Sequence, residues 1–238
     1  MSQLKFSIVY DNNSFKAGFR TDWGFSCLIQ GLEKTILFDT GANQDILLAN
    51  MEKLGISPGL VDIIFLSHEH YDHTGGLKGF LDVNPEVSVF IPDFFPNNIK
   101  KIISDAGSRP VFTYQPQSMI SGVFTTGVIN GWIKEQSMVL ESEKGLILIT
   151  GCAHPRITKI IAYTKEYFKQ KIHLVFGGFH LGGFEEKEIR EIIRLFRKEE
   201  VEKVGPTHCS GEEARTLFKA EYGKSFLELG TGKVWCLP

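Results

Sequence analysis

SHEHYDHTGG, residues 67–76, sets His68, His70 and His73 together with Glu69 and Asp72 inside six residues of a chain that holds seven histidines in all. Divalent ions such as zinc bind imidazole nitrogen and carboxylate oxygen in a fixed geometry, so the run reads first as a ligand set. In a short loop alternate side chains point the same way, which lets His68 and His70 hold one ion while Asp72 and His73 turn to a second. Thr74, Gly75 and Gly76 follow at once, and the two glycines let the backbone fold tightly around such a centre. A solvated polar loop accounts well for a lone histidine. It accounts poorly for three histidines and an aspartate directly after the strand-like IIFLS.

Outward from this run, short β-rich segments recur: KFSIVY, FSCLIQG, KTILFDTG, DIIFLSH, VSVFIPD, MVLES, GLILITG, HLVFGG and VEKVGPTH. They are bounded mostly by Gly, Pro, Asn or Asp, as strands are. Ile157, Ile160, Ile161, Thr164 and Phe168 recur at helical spacing, as do Ile189, Ile192, Ile193 and Phe196; each set predicts a helix with one buried face. The first third reads as strands without helices and the remainder as strands alternating with helices, a layered α/β pattern of sheets covered by helices. ILFDTG near ILITGC, and FLSHEH near VFGGFH, give a coarse two-half likeness that fits two similar sheets.

The polar chemistry sits where these runs stop. Asp39 follows ILF, His68 follows IIFLS, His154 follows ILITGCA, His180 follows LVFGGF and His208 follows VGPT. Ligands gather at strand ends in open α/β sheets, so one shared site is the economical expectation. His173, inside KIHLVFGG, is the exception and reads as a strand histidine. Asp39 is suited to accept the second N–H of a ligand imidazole and so fix its tautomer; capping the turn at Thr40-Gly41 is its other reading. His180 reads either as a residue that meets metal or substrate, or as a core histidine tied to backbone.

The 238 residues, 42% hydrophobic and 23% charged, suit one large domain over residues 1–238. A formal charge of −2 with both signs interspersed, and no Lys/Arg block, argues against a nucleic-acid partner. MSQLKFSIVYDNN lacks the apolar core of a secretory leader, so a cytoplasmic protein is expected, and no apolar run nears the roughly 20 residues that span a membrane. Cys27, Cys152, Cys209 and Cys236 form no C-x-x-C pair; burial as small apolar side chains is expected for Cys152 and Cys209. GGFHLGGF, residues 177–184, reads as a tight turn around His180 rather than a phosphate cradle, because Glu185 and Glu186 open the next helix. Phe94, Phe95 and Trp132 are either core aromatics or platforms for a flat substrate, and Asn12 and Asn13 mark a turn or reach the site.

LFDTG, then LSHEHYDHTGG, then TGCAH, then PTHC, in that order, resembles the metallo-β-lactamase superfamily, a four-layer αββα sandwich. VYDNN, DWGFSCLI, TTGVI followed by EQS, TGCAHPRI, GGFHL and PTHCSG are similar to one branch, the 7,8-dihydropterin-6-yl-methyl-4-(β-D-ribofuranosyl)aminobenzene 5′-phosphate synthases, a dihydropteroate-synthase-like group of methanopterin biosynthesis. The resemblance implies that His68, His70 and His154 hold one metal and Asp72, His73 and His208 the other. It implies one or two divalent ions, zinc first, with manganese, iron and magnesium as alternatives. Many dinuclear members place a bridging aspartate where this chain reads FGGFHL, so His180 stands in that neighbourhood and joins Asp72 as a candidate catalytic residue. The implied chemistry is a transferase in which an aromatic amine displaces diphosphate from a pterin methyl ester; phosphoester or ester hydrolysis and metal binding without turnover are the alternatives. A phosphorylated small molecule is the expected partner, and self-association into a homo-oligomer is left open.

Overall fold

Strand ends place most of the candidate residues, whereas Asp72 and His73 stand on a short helix. The computed structural model describes residues 3–237; Met1, Ser2 and Pro238, which include both ends of the domain expected over 1–238, lie outside the described residues. In chain order the elements begin with β1 (Leu4–Asp11), β2 (Phe25–Gln30), β3 (Ile36–Phe38), α1 (Gln44–Lys53), β4 (Ile63–Phe65), α2 (Tyr71–Thr74), α3 (Leu77–Val83), β5 (Ser88–Pro92), α4 (Asn97–Asp105) and β6 (Arg109–Thr113). They continue with β7 (Gln117–Ile120), β8 (Val123–Thr125), β9 (Met138–Leu140), β10 (Leu146–Thr150), α5 (Ile157–Phe168), β11 (Ile172–Gly178), α6 (Glu186–Lys198), β12 (Lys203–Thr207), α7 (Glu212–Tyr222) and β13 (Val234–Leu237). The chain divides into two compact units, Met1–Tyr114 with Gly230–Pro238, and Gln115–Leu229.

The first unit carries a seven-stranded sheet in the order β13-β1-β2-β3-β4-β5-β6. Its pairs from β13 to β3 are antiparallel and those from β3 to β6 parallel. Leu37, Ile64, Val89 and Ile91 pack with Leu47 and Met51 of α1, Phe80 of α3 and Ile103 of α4 in one core. Their strand neighbours Ile36, Phe38, Phe65 and Phe90 are buried too, which is why these strands read as unbroken apolar runs instead of alternating ones.

The second unit carries a six-stranded sheet, β12-β11-β10-β9-β8-β7, parallel from β12 to β10 and antiparallel from β10 to β7. Ile157, Ile160 and Ile161 of α5, Ile189, Ile193 and Phe196 of α6, and Phe218 of α7 close its core against Leu148, Val175 and Val204. Each such side chain contributes about 1.5–3 kcal/mol by leaving water. Glu185 and Glu188 form a reciprocal capping box at the start of α6, the local reason that the helix begins there.

All nine expected strand runs are strands, and the two expected helices are α5 and α6. The expectation of a first third without helices is corrected: α1 and α2 lie in it. Asn43 caps α1 by accepting from the N–H groups of Asp45 and Ile46 at 2.8 and 3.3 Å. The buried face of α1 is Leu47, Asn50 and Met51, and the polar Asn50 in its middle blurs the apolar period. That amide is used structurally, donating to the Val9 and Arg20 carbonyls at 3.0 and 2.8 Å. Among the described residues no helix is long and apolar enough to cross a membrane.

His173 is a strand histidine, buried in β11 with Nδ1 2.7 Å from Glu202 Oε2. The hydrogen bond from Lys171, then that with His173, holds the Glu202 carboxyl below its usual 4.5. A folded pKa below the unfolded one stabilises the fold at pH above the unfolded value, and the gain disappears as pH falls through the folded value. Because the Glu202 side chain is 40% exposed, Glu202→Gln is expected to cost under about 1 kcal/mol near neutral pH. Below both values the cost should vanish; urea melts of the two proteins at neutral and strongly acidic pH check this.

Candidate metal centre

In the first unit β3 and β4 run parallel, so both strands deliver their C-terminal ends to the same edge. Asp39 leaves β3 with a left-handed φ of 52°, and its fully buried carboxylate reaches the chain beyond β4. Oδ1 accepts the Ser67 N–H at 2.7 Å; Oδ2 accepts the Ser67 hydroxyl at 2.7 Å and faces His73 Nδ1 at 2.7 Å. Ser67 Oγ in turn lies 2.9 Å from His68 Nδ1. Asp39 therefore fixes the His73 ring directly and the His68 ring through Ser67, and each imidazole is left with Nε2 as its ligand atom.

The distances on the other side of these rings suit a metal. His68 Nε2 and His70 Nδ1 are 3.2 Å apart, and His73 Nε2 and Asp72 Oδ2 are 3.5 Å apart. Two ligand atoms on bonds of about 2.0–2.1 Å at a tetrahedral angle stand about 3.3 Å apart, so both pairs already have the span that one ion imposes. His68 and His73 are fully buried, whereas the Asp72 side chain is 17% exposed and open to solvent. Gly75 and Gly76 permit the turn: a Cβ on either would collide with the backbone carbonyl of Ala42 or Thr40.

In the second unit the loop after β10 is organised by an anion that the sequence reading passed over. Glu135, 1% exposed, accepts at Oε1 from the N–H groups of Gly151, Cys152 and Ala153 at 3.2, 3.0 and 2.9 Å, and at Oε2 from that of His154 at 2.9 Å. Four successive amides turned onto one carboxylate form an anion nest, and Ala153 adopts a φ of 62° to complete it. The His154 ring lies 4.4 Å from that of His180 between centroids, and Trp132, 71% exposed, meets His154 edge-on at 5.1 Å.

Cys152, His180 and Cys209 also converge, their ligand atoms all within 4.8 Å of one another, and a ring nitrogen of His208 lies within 4.8 Å of Cys152 Sγ. Both thiols are buried, as expected, but 57 residues of separation hid their proximity. Burial pushes the Cys209 thiol up; hydrogen bonds with Cys152 and His180 and the charges of His208 and His180 outweigh it and hold the thiol well below its usual 9.0.

The structure thus gathers Asp39, His68, His70, Asp72 and His73 in one unit, and His154, His180 and His208 in the other. Positive φ at the non-glycine residues Asp39, Ala153, His180 and His208 puts backbone strain at the candidate ligands or beside them. Phe95 is a core residue and Phe94 packs partly buried against that core, whereas Asn13 folds back on Asp11 Oδ1 at 2.8 Å in an Asx turn. Ser67 and Glu135 had no signal of their own, since a polar residue at a buried turn has no period to mark it.

The family model described as metallo-beta-lactamase superfamily matches residues 24–117, the stretch that carries the histidine run. The crystal structure of Tm1679, a metal-dependent hydrolase of the beta-lactamase superfamily, has a TM-score of 0.83 and 28% identity over 98% of each chain. With its mixed α/β sheets and this match, the chain belongs to the metallo-β-lactamase superfamily. Within that superfamily it is 30% identical to the 7,8-dihydropterin-6-methyl-4-(beta-D-ribofuranosyl)-aminobenzene-5'-phosphate synthase of Methanocaldococcus jannaschii, over 96% of this chain and 95% of that one. YhfI from Bacillus subtilis, at 13% identity and a TM-score of 0.73 over 98% of this chain and 99% of its own, shares the fold.

Proposed function

We propose that this chain is a metal-dependent transferase that joins an aromatic amine to a pterin methyl group, as a synthase of the pterin-aminobenzene phosphate type. The observation that carries the reading is 30% identity to such a synthase across nearly the whole of both chains. The proposed ligands are His68, His70 and His154 for one ion and Asp72, His73 and His208 for another, with Asp39 orienting His73. Zinc is the first candidate; manganese, iron and magnesium are the alternatives. A divalent ion bound there supplies Lewis acidity, stabilising charge on a leaving oxygen or lowering the pKa of a coordinated water from 15.7 to about 7.

In the joining reaction the amine nitrogen attacks the pterin methylene carbon, the bond from that carbon to the diphosphate oxygen breaks, and the nitrogen loses a proton. Asp72 is the acidic group proposed to take that proton, since its carboxylate is open to solvent while its neighbour His73 is enclosed. His180 is proposed to contact metal or substrate. The substrate is then a phosphorylated small molecule met in the cytoplasm, with neither nucleic acid nor membrane as a partner; self-association is equally compatible with the reading. Hydrolysis of a phosphoester or ester is the second reading, and the 28% identity to a metal-dependent hydrolase favours it.

Elemental analysis and turnover together test the proposal. Both purified without chelators, an Asp72→Ala, His208→Ala double variant should carry about one equivalent of metal less than the wild type. The wild type should release diphosphate from a pterin methyl diphosphate only when the arylamine is present. Release without the amine would replace the transferase with a hydrolase, and metal-loaded protein inert to both substrate classes would remove the enzyme reading. Trp132, exposed beside His154, is proposed as the platform for a flat ring. Trp132→Ala should raise KM for the aromatic substrate about two- to tenfold with kcat little changed, the worth of one stacked pair; an unmoved KM would return Trp132 to a structural role.

A further inference from the structure

We propose that Cys152, His180 and Cys209 form a metal-binding group of their own, a set of two thiolates and one imidazole suited to zinc. The inference concerns the second unit alone; it gives His180 the metal-contacting role left open for it above, and Cys152 stands close to His208.

The three residues come from the C-terminal ends of three adjacent parallel strands. Cys152 follows β10, His180 follows β11 and Cys209 follows β12, and β11 pairs with both of the others. Parallel pairing brings the three loops to one edge, so side chains 28 and 57 residues from Cys152 in sequence have their donor atoms within 4.8 Å of one another. Two sulfurs bound at about 2.3 Å in a tetrahedral site stand about 3.8 Å apart, so the group has to close by about 1 Å at most to hold an ion. Side-chain torsions absorb a movement of that size.

Packing of small buried side chains explains a pair of thiols, but the surroundings of these are more specific. Gly178 lets the ligand loops close up, because a Cβ there would collide with the Gly151 carbonyl oxygen and stand 2.7 Å from Cys209 Sγ. The backbone of each ligand loop is tied in place. Glu135 holds the Cys152 N–H, Gly182 N–H donates to the Cys209 carbonyl at 3.1 Å, and Ser210 Oγ accepts the Phe179 N–H at 3.0 Å. Such ties hold the loops that carry ligand atoms. Charge also balances: two thiolates neutralise a dication, which lets the occupied group lie where Cys152 is 3% and Cys209 7% exposed. His180 is only partly buried and gives an ion a way in. Three protein ligands with a fourth position open is the arrangement of catalytic rather than closed structural zinc sites.

The test uses Cd2+ as a spectroscopic stand-in, titrated into the full chain after chelator treatment, in a Cys236→Ser background that removes the exposed thiol. Cd2+ in excess of the histidine and aspartate sites should bring up an ultraviolet sulfur-to-metal charge-transfer band; Cys209→Ser should halve it, and Cys152→Ser with Cys209→Ser should abolish it. Histidine and carboxylate ligands give no such band, so the result is read separately from turnover. His180→Ala keeps both thiols and guards against misfolding of the serine variants: its band should form only at higher Cd2+. No band in the background protein, an undiminished band in the double variant, or an unmoved titration in His180→Ala would overturn the assignment.

Discussion

Asp39→Ala should lower the stability of the metal-free protein by about 3–5 kcal/mol and weaken metal binding by about 10–100-fold. The first figure follows from burial. Removing the carboxylate strands the Ser67 N–H, the Ser67 hydroxyl and His73 Nδ1 together in a site that water does not reach, all three having been held at 2.7 Å. In a chain of 238 residues that is a fall of about 6–20 °C in Tm. The second figure follows from the tautomer. Asp39→Asn separates the two effects, because its amide oxygen can still accept from the Ser67 N–H while its NH2 points a donor at His73 Nδ1. The His73 proton is then driven to Nε2, the ligand atom. The asparagine variant should therefore keep most of the stability and bind the ion assigned to His73 more weakly, as followed by urea melts and elemental analysis. Wild-type metal content in Asp39→Asn would show that His73 needs no orienting carboxylate.

The same residues show how far the sequence reaches. HEHYDH was legible because its ligands are consecutive, and the strand ends at Asp39, His154, His180 and His208 were legible because parallel strands buried on both faces leave unbroken apolar runs that stop abruptly. β6, β7, β8 and β13 were not. β6, β7 and β13 lie at sheet edges with mostly exposed or half-buried residues, β6 carrying Pro110 and an exposed arginine, and β8 has a half-buried Phe124 at its centre, so none presents an unbroken buried run. Helix α1 hid for a related reason, with Asn50 at the centre of its buried face. The Cys152–His180–Cys209 group was beyond any local pattern, since only the register of β10, β11 and β12 brings it together. Local chemistry can be read along the chain, whereas convergence depends on topology.

Glu135 depends on topology in the same way, and it carries the other large effect. Glu135→Ala should cost about 3–5 kcal/mol, because four consecutive backbone N–H groups lose their common acceptor and a buried unsatisfied donor costs about 1–3 kcal/mol before the loop relaxes. The loop cannot recover by refolding locally without moving Cys152 and His154, which stand on it. Stability and metal content should therefore fall together. Glu135→Gln is the informative partner. Oε1 receives three of the four N–H groups, so a glutamine that keeps its oxygen there preserves those three and sets a donor only against His154. Its expected cost is about 1–3 kcal/mol, confined to the His154 end of the loop. Denaturant midpoints give the stabilities, and elemental analysis of the same preparations gives the metal. If Glu135→Gln were as damaging as Glu135→Ala, the negative charge itself would be what the nest requires, and the count of hydrogen bonds would not explain the loop.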